Sequence, residues 1–160
     1  MHIRPAPDED ADTVWRILCP IIRAGETYAL PRDMTREDAL AYWFSPGHEV
    51  FVAHDDGEIV GTYYLRANQR GGGAHVANCA YMTAPWASGR GIGRAMAAHS
   101  LTHAKASGFT AMQFNFVVAS NEPAVGLWQQ LGFHTIGRLP GAFRHPSGEL
   151  IDALVMYRQL

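Results

Sequence analysis

The sequence predicts a mixed α/β fold in one domain spanning residues 1–160. Segments with apolar residues at helical spacing, such as Trp15, Leu18 and Ile22, alternate along the chain with segments of two-residue period, such as Ala111–Val118. An Asp-Gly turn between β-branched runs, at Asp55-Asp56-Gly57, marks a hairpin. The 160 residues, 48% of them hydrophobic, suffice for one sizeable core.

Met1 to Arg4 reads as a short strand closed by Pro5, which has no N–H to add to a ladder. Asp8-Glu9-Asp10 places acidic residues where a helix start favours them, and Gly25 ends that helix. Thr35 and Asp38 form a capping-box-like start for a short second helix through Leu40 and Trp43, stopped by Ser45-Pro46-Gly47. The hairpin follows as Glu49–His54 and Glu58–Arg66. After a polar, Gly-rich loop from Ala67 to Ala74, His75–Thr83 reads as a third strand. Gly91–Lys105 reads as a helix with Gly108 just beyond it. In Ala111–Val118, alternation places Met112, Phe114 and Phe116 on one face and Gln113 and Asn115 on the other. Asn121–Leu131 reads as a helix capped by Asn121 and stopped by Gly132. Phe133–Leu139 and Leu150–Tyr157 are the last strands, flanking a Pro/Gly-rich connection. The predicted order is β-α-α-β-β-β-α-β-α-β-β.

Thirteen Lys and Arg against fifteen Asp and Glu leave a net charge of −2, so bulk nucleic acid is not an expected partner. Any anionic ligand must be held by a local arrangement. Cys19 and Cys79 are too few and too far apart for a disulfide framework. The first ten residues lack the apolar run of a signal peptide, and no window approaches 18 apolar residues, so the expected location is cytoplasmic, without membrane association. The eight histidines show no paired ligand spacing, and no metal is expected.

The chemistry is concentrated in Ala80-Tyr-Met-Thr-Ala-Pro-Trp-Ala-Ser-Gly-Arg-Gly-Ile-Gly-Arg-Ala95. A strand runs into a Gly-rich turn that opens directly into a helix, whose free N–H groups can meet a phosphate. Gly89, Gly91 and Gly93 are the positions where a side chain would obstruct that approach, and Arg90 and Arg94 add local charge. A tight corner whose glycines serve only sterics is the competing explanation. A dinucleotide fingerprint would need glycine where Arg94 or Met96 stands, and no GxxxxGK[ST], GxSxG, HExxH or EF-hand pattern occurs.

Ser88-Gly-Arg-Gly-Ile-Gly93 resembles the pyrophosphate loop of the GCN5-related N-acetyltransferases (GNAT family), whose pattern is Arg/Gln-x-x-Gly-x-Gly/Ala. Asn121-Glu-Pro-Ala-Val-Gly-Leu-Trp-Gln-Gln-Leu-Gly-Phe133 resembles the later motif of the same family, at the expected separation. The resemblance implies a single-domain GNAT fold: a mixed, mostly antiparallel sheet with a splayed strand pair and flanking helices. It implies acetyl-CoA as cosubstrate, lying between the strand that ends near Thr83 and Ala111–Val118. Its pantetheine would pair with backbone from Tyr81 through Met82 to Thr83, and its pyrophosphate would meet Ser88, Gly89, Arg90, Gly91, Ile92, Gly93 and Arg94. Asn121 would reach the pantetheine. Ser88 departs from the usual Arg or Gln, removing one charge. Trp128 stands where many members have a Tyr proposed to protonate the thiolate, and an indole N–H has no proton to give up near neutrality.

On the acceptor side, Glu26 is a candidate base in the loop after the first helix. Asn78 and Asn115 interrupt otherwise apolar or small-residue strands, and an amide at a half-buried position needs partners. Their surroundings, Ala77-Asn-Cys79 and Phe114-Asn-Phe116, resemble the branch that acetylates small amino acids or proline analogues, which implies substrate anchoring and catalysis for both. The aromatics Tyr28, Trp43, Tyr63 and Tyr64 are candidates to line an acceptor pocket. Asp152, inside the last strand, is expected to pair with Arg138 or Arg144. Three functions follow: acetyl transfer to the primary or secondary amine of a small molecule, acetylation of a protein or peptide, and a non-catalytic acyl-CoA-binding module. Monomer and homodimer both remain open.

Overall fold

Each element end has a local cause. Val14, Ile17, Leu18 and Ile22 form the buried stripe of helix α1 (Ala11–Ala24), and Gly25 closes it in the left-handed conformation with its N–H on the Ile21 carbonyl. Trp15 is only half-buried and flanks that stripe. Helix α2 (Arg36–Trp43) begins as expected, the Thr35 hydroxyl accepting from the Asp38 N–H at 3.1 Å. The computed structural model covers residues 1–160, and its remaining elements are β1 (His2–Pro5), β2 (Glu49–Asp55), β3 (Glu58–Ala67), β4 (Val76–Thr83), α3 (Ile92–Ala106), β5 (Ala111–Val118), α4 (Glu122–Gln130), β6 (His134–Arg144) and β7 (Leu150–Gln159). This is the predicted order.

The seven strands form one sheet in the order β1-β2-β3-β4-β5-β7-β6. Every neighbouring pair is antiparallel except β4 and β5, which run parallel. That parallel pair touches only at Val76 with Ala111 and Ala77 with Met112, and beyond those rungs the strands separate. β3 is buried without interruption from Ile59 to Leu65, which requires cover on both faces. Adjacent residues show what covers it. The Trp43 indole of α2 donates to the Thr62 hydroxyl, while the Tyr63 hydroxyl bonds His99 of α3. Successive strand residues point to opposite faces, so α2 and α3 lie on opposite sides of the sheet.

Three expectations are corrected. β6 does not stop at Leu139. Pairing resumes at Phe143 with Ile151 after an irregularity, because a bulge tolerates the missing N–H of Pro140. Asp152 secures that bulge, accepting from Arg138 at 2.7 Å and from the Gly141 N–H at 2.9 Å. Phe116 does not share the buried face of Met112 and Phe114. A register shift between Phe114 and Val117 turns it outward, where it is 36% exposed and meets the Phe143 ring. Finally, the Asn121 side chain does not cap α4. Only its carbonyl takes part, accepting from the Val125 N–H.

Candidate active site

Where β4 and β5 part, side chains replace the ladder. The Asn78 amide donates to the Gln113 carbonyl at 2.9 Å, spanning the first gap beyond the paired rungs, and its oxygen accepts from Arg66 Nε at 3.2 Å. Asn78 is buried, so both bonds satisfy an amide that would otherwise be costly to bury. Nearer solvent, Gln113 donates to Asn115 at 2.9 Å, and Asn115 donates to Asn68 at 2.7 Å. Asn78 and Asn115 therefore sit on the two diverging strands, one buried and one exposed.

A cavity of about 400 Å³ occupies the split. Its walls are β4 from Asn78 to Thr83, β5 from Phe114 to Val118, the Thr27–Leu30 loop, and Asn121, Ala124 and Trp128 around α4. Tyr42, Tyr64 and Arg66 close the acceptor end. Arg66 is the only charged residue among the lining residues. Glu26 is exposed and does not line the cavity, although its neighbours Thr27 and Tyr28 do. Of the predicted aromatics, Tyr28 and Tyr64 line the cavity, whereas Trp43 and Tyr63 belong to the core.

The Tyr28 hydroxyl bonds both main-chain groups of Tyr81: it donates to the carbonyl and accepts from the N–H at 3.0 Å. The main chain of Tyr81 therefore faces the split. Burial raises the Tyr28 and Tyr64 phenols above the ordinary tyrosine range and pushes the Cys79 thiol up to about 12. None of the three loses its proton at neutral pH. The Trp128 indole packs against Tyr81 and Phe114, with ring centroids 5.1 and 4.7 Å away, and its N–H has no bond to the protein.

The Gly-rich turn lies at the other end of the split. Gly89 and Gly91 have φ of 78° and 76°, a left-handed backbone that side chains resist, and Gly91 is the N-cap of α3 without any side-chain cap. The first N–H groups of α3 are thus left for an anion, and the helix dipole favours one there. Gly93 differs. Its φ is negative, and an added Cβ would meet only Leu127 and Thr83, each at an ordinary 3.8 Å. Packing within the protein does not demand glycine at this position; close approach of a ligand would. Ser88 is exposed and caps nothing, while Ile92 turns its side chain into the core and keeps its N–H in the open first turn of α3. Met82 departs from expectation: its side chain is buried and its main-chain N–H and C=O, one residue on from Tyr81, face Thr62 of β3 and not the split. Arg90 is spent on Asp55 and Asp56, so its charge is largely offset, against expectation. Arg94 meets only the neutral Gln130 and keeps its charge.

A splayed parallel pair, an uncapped helix N-terminus after β4 and a shared cavity define a fold that comparison with known proteins identifies. The model of the Acetyltransferase (GNAT) family matches residues 15–133. The chain belongs to the GNAT family. A GCN5-related N-acetyltransferase from Kribbella flavida is 41% identical, superposes with a TM-score of 0.94, and is covered over 97% of its length by 99% of this chain. The N-acetyltransferase aca1 of Schizosaccharomyces pombe is 29% identical over 151 residues, which are 84% of this chain and 72% of that protein. The yncA structure from Salmonella typhimurium, solved with its cofactor acetyl-CoA, shares the fold at 21% identity and a TM-score of 0.87, covering 100% of this chain and 94% of that one.

This GNAT protein is an acetyl-CoA-dependent N-acetyltransferase. The open N-terminus of α3, the spare room at Gly93 and the strand split suit acetyl-CoA. No helix is long and apolar enough to cross a membrane. Arg66 and Tyr42 were not singled out in the sequence. Two-residue periodicity puts Arg66 on the face of Tyr64, which was the available signal. Nothing local in the sequence indicated that this face turns toward the split.

Proposed function

We propose that the protein acetylates the primary or secondary amine of a small molecule, in the cavity between β4 and β5. The observation that carries this is the lining of the acceptor end. There Tyr28, Tyr42 and Tyr64 converge beside Arg66, a set of close aromatic walls that suits a small ligand better than an extended peptide. The cavity contains no acidic residue that would attract a basic protein segment.

When bound, acetyl-CoA supplies a thioester carbonyl and a thiol leaving group. Amides from Gly89 to Ala95 and the Arg94 charge hold the pyrophosphate, with Ser88 and Arg90 at the edge of that loop. The main chain of Tyr81, once the Tyr28 hydroxyl gives up its bonds, and that of Thr83 would align the pantetheine, and Asn121 would border it. Asn115 orients the acceptor from β5, while Asn78 holds Arg66 and braces the split. The Trp128 N–H is free to donate a hydrogen bond to the departing sulfur. No carboxylate or imidazole lines the cavity, so the amine proton leaves through water, with exposed Glu26 at best a distant acceptor.

A thiol-release screen over amino acids, polyamines and peptides tests this function. Turnover of small amines well above peptides is expected, and turnover of peptides alone would overturn it.

A further inference from the structure

We infer that Arg66 forms a carboxylate-binding subsite, so that the acceptor is an amine carrying a carboxylate: an amino or imino acid. The inference rests on the small-molecule function proposed above and narrows it to one substrate class.

Arg66 is half-buried at the end of β3 and lines the cavity. None of the protein's ion pairs includes it, although the other two half-buried arginines are occupied, Arg4 by Asp10 and Arg158 by the Leu131 carbonyl. A guanidinium has five N–H donors in a fixed plane. Only the Nε–H is engaged, by Asn78 at 3.2 Å. Asn78 is itself held by the Gln113 carbonyl, so the plane is set from behind and the two Nη groups remain to donate. Such a paired edge matches the two oxygens of a carboxylate.

The surroundings point the same way. The Tyr42 and Tyr64 hydroxyls bond each other at 3.1 Å, and since one of them donates in that bond, the other keeps a hydrogen to offer. With no Asp or Glu in the lining, nothing in the cavity competes with an incoming carboxylate. A single unopposed positive charge suits a monoanion better than a doubly charged phosphate. A second cavity shares Tyr28, Ala29 and Leu30 with the first, and its charged lining residues are Arg32 and Arg144, again without an acid. Arg32 and Arg144 favour an anionic molecule approaching from that side. Arg66 has a further effect on an amino acid, because a fixed cation beside the site disfavours the ammonium form and raises the fraction of reactive neutral amine.

The test pairs each of several α-amino and cyclic imino acids with its neutral carboxamide, measuring kcat/KM by thiol release for the wild type, Arg66→Met and Arg66→Lys. The wild type should prefer the acids. In Arg66→Met the acid-over-amide preference should fall about 10- to 100-fold, chiefly through KM, as expected for lost hydrogen bonds to a charged group. Arg66→Lys keeps the charge without the paired edge and should fall between the two. Calorimetric binding of CoA checks that each variant retains the rest of the site, and Arg66→Lys decides the matter if Arg66→Met does not fold. A wild type that turns over small amines without preferring acids, or an unchanged preference in both variants, overturns the subsite alone. If no small amine is turned over, the small-molecule function falls and the subsite with it.

Discussion

The Tyr28 hydroxyl holds both main-chain groups of Tyr81, joining the loop after α1 to the edge of β4 that faces the split. One side chain thus occupies a main-chain position that an added strand would use.

Replacing Tyr28 with Phe removes both bonds and should destabilise the protein by about 1–2 kcal/mol, two ordinary hydrogen bonds. If pantetheine pairs with Tyr81, the same change removes a competitor, so CoA affinity should hold or increase. Thermal melts and calorimetry on Tyr28→Phe measure both. A clear loss of CoA affinity would mean that the hydroxyl itself contacts the cosubstrate.

Gly93→Ala separates packing from ligand approach. The added Cβ has room in the protein, and alanine is the better helix former, so the fold should be unchanged or stabilised by up to about 1 kcal/mol. CoA affinity should nevertheless fall. Equal affinity in the two proteins would leave Gly93 without a role at the phosphate.

The two asparagines should respond differently. Asn78→Ala removes the bond to the Gln113 carbonyl and releases Arg66, costing about 1–3 kcal/mol of stability and raising the acceptor KM. Asn115 is exposed, so Asn115→Ala should stay within about 0.5 kcal/mol of the wild type in stability. Its turnover should fall about tenfold or more while CoA affinity holds. Full turnover by a folded Asn115→Ala enzyme would remove that residue from the acceptor side.

Stability should decline as pH falls below about 6.5, the ionisation range of an unfolded histidine. His48, His54 and His99 are each held below the ordinary value, with burial the largest cause in all three. His54 Nε2 is also buried without a partner. In this range the unfolded chain binds protons that the folded one refuses, so lowering the pH favours unfolding. Melting temperatures between pH 8 and 5 check the direction, and His99→Gln should flatten the decline. A melting temperature that rises toward pH 5 would contradict it.

Much of this was legible in the residues. Spacing and turn chemistry are local, so the element order, the Thr35 cap, the Gly25 stop and the Asp55-Asp56-Gly57 hairpin followed from neighbours in the chain. The Gly-rich turn was legible for the same reason, since strand, turn and helix N-terminus are contiguous. Misplaced features were those in which the third dimension outweighed the local pattern. The register shift in β5 turned Phe116 outward, and pairing with β7 carried β6 past Pro140.

Residue order sufficed for the fold class and for the Gly-rich turn at the start of α3, because both depend on patterns among residues close in the chain. Only the tertiary structure decided which charges stay free. Arg90 is neutralised by Asp55 and Asp56 from a distant hairpin, while Arg66, fixed by Asn78 across the β3–β4 ladder, meets no acid at all. Whether a cation is spent or available depends on what other strands bring within about 4 Å of it, and residue order alone does not specify that distance.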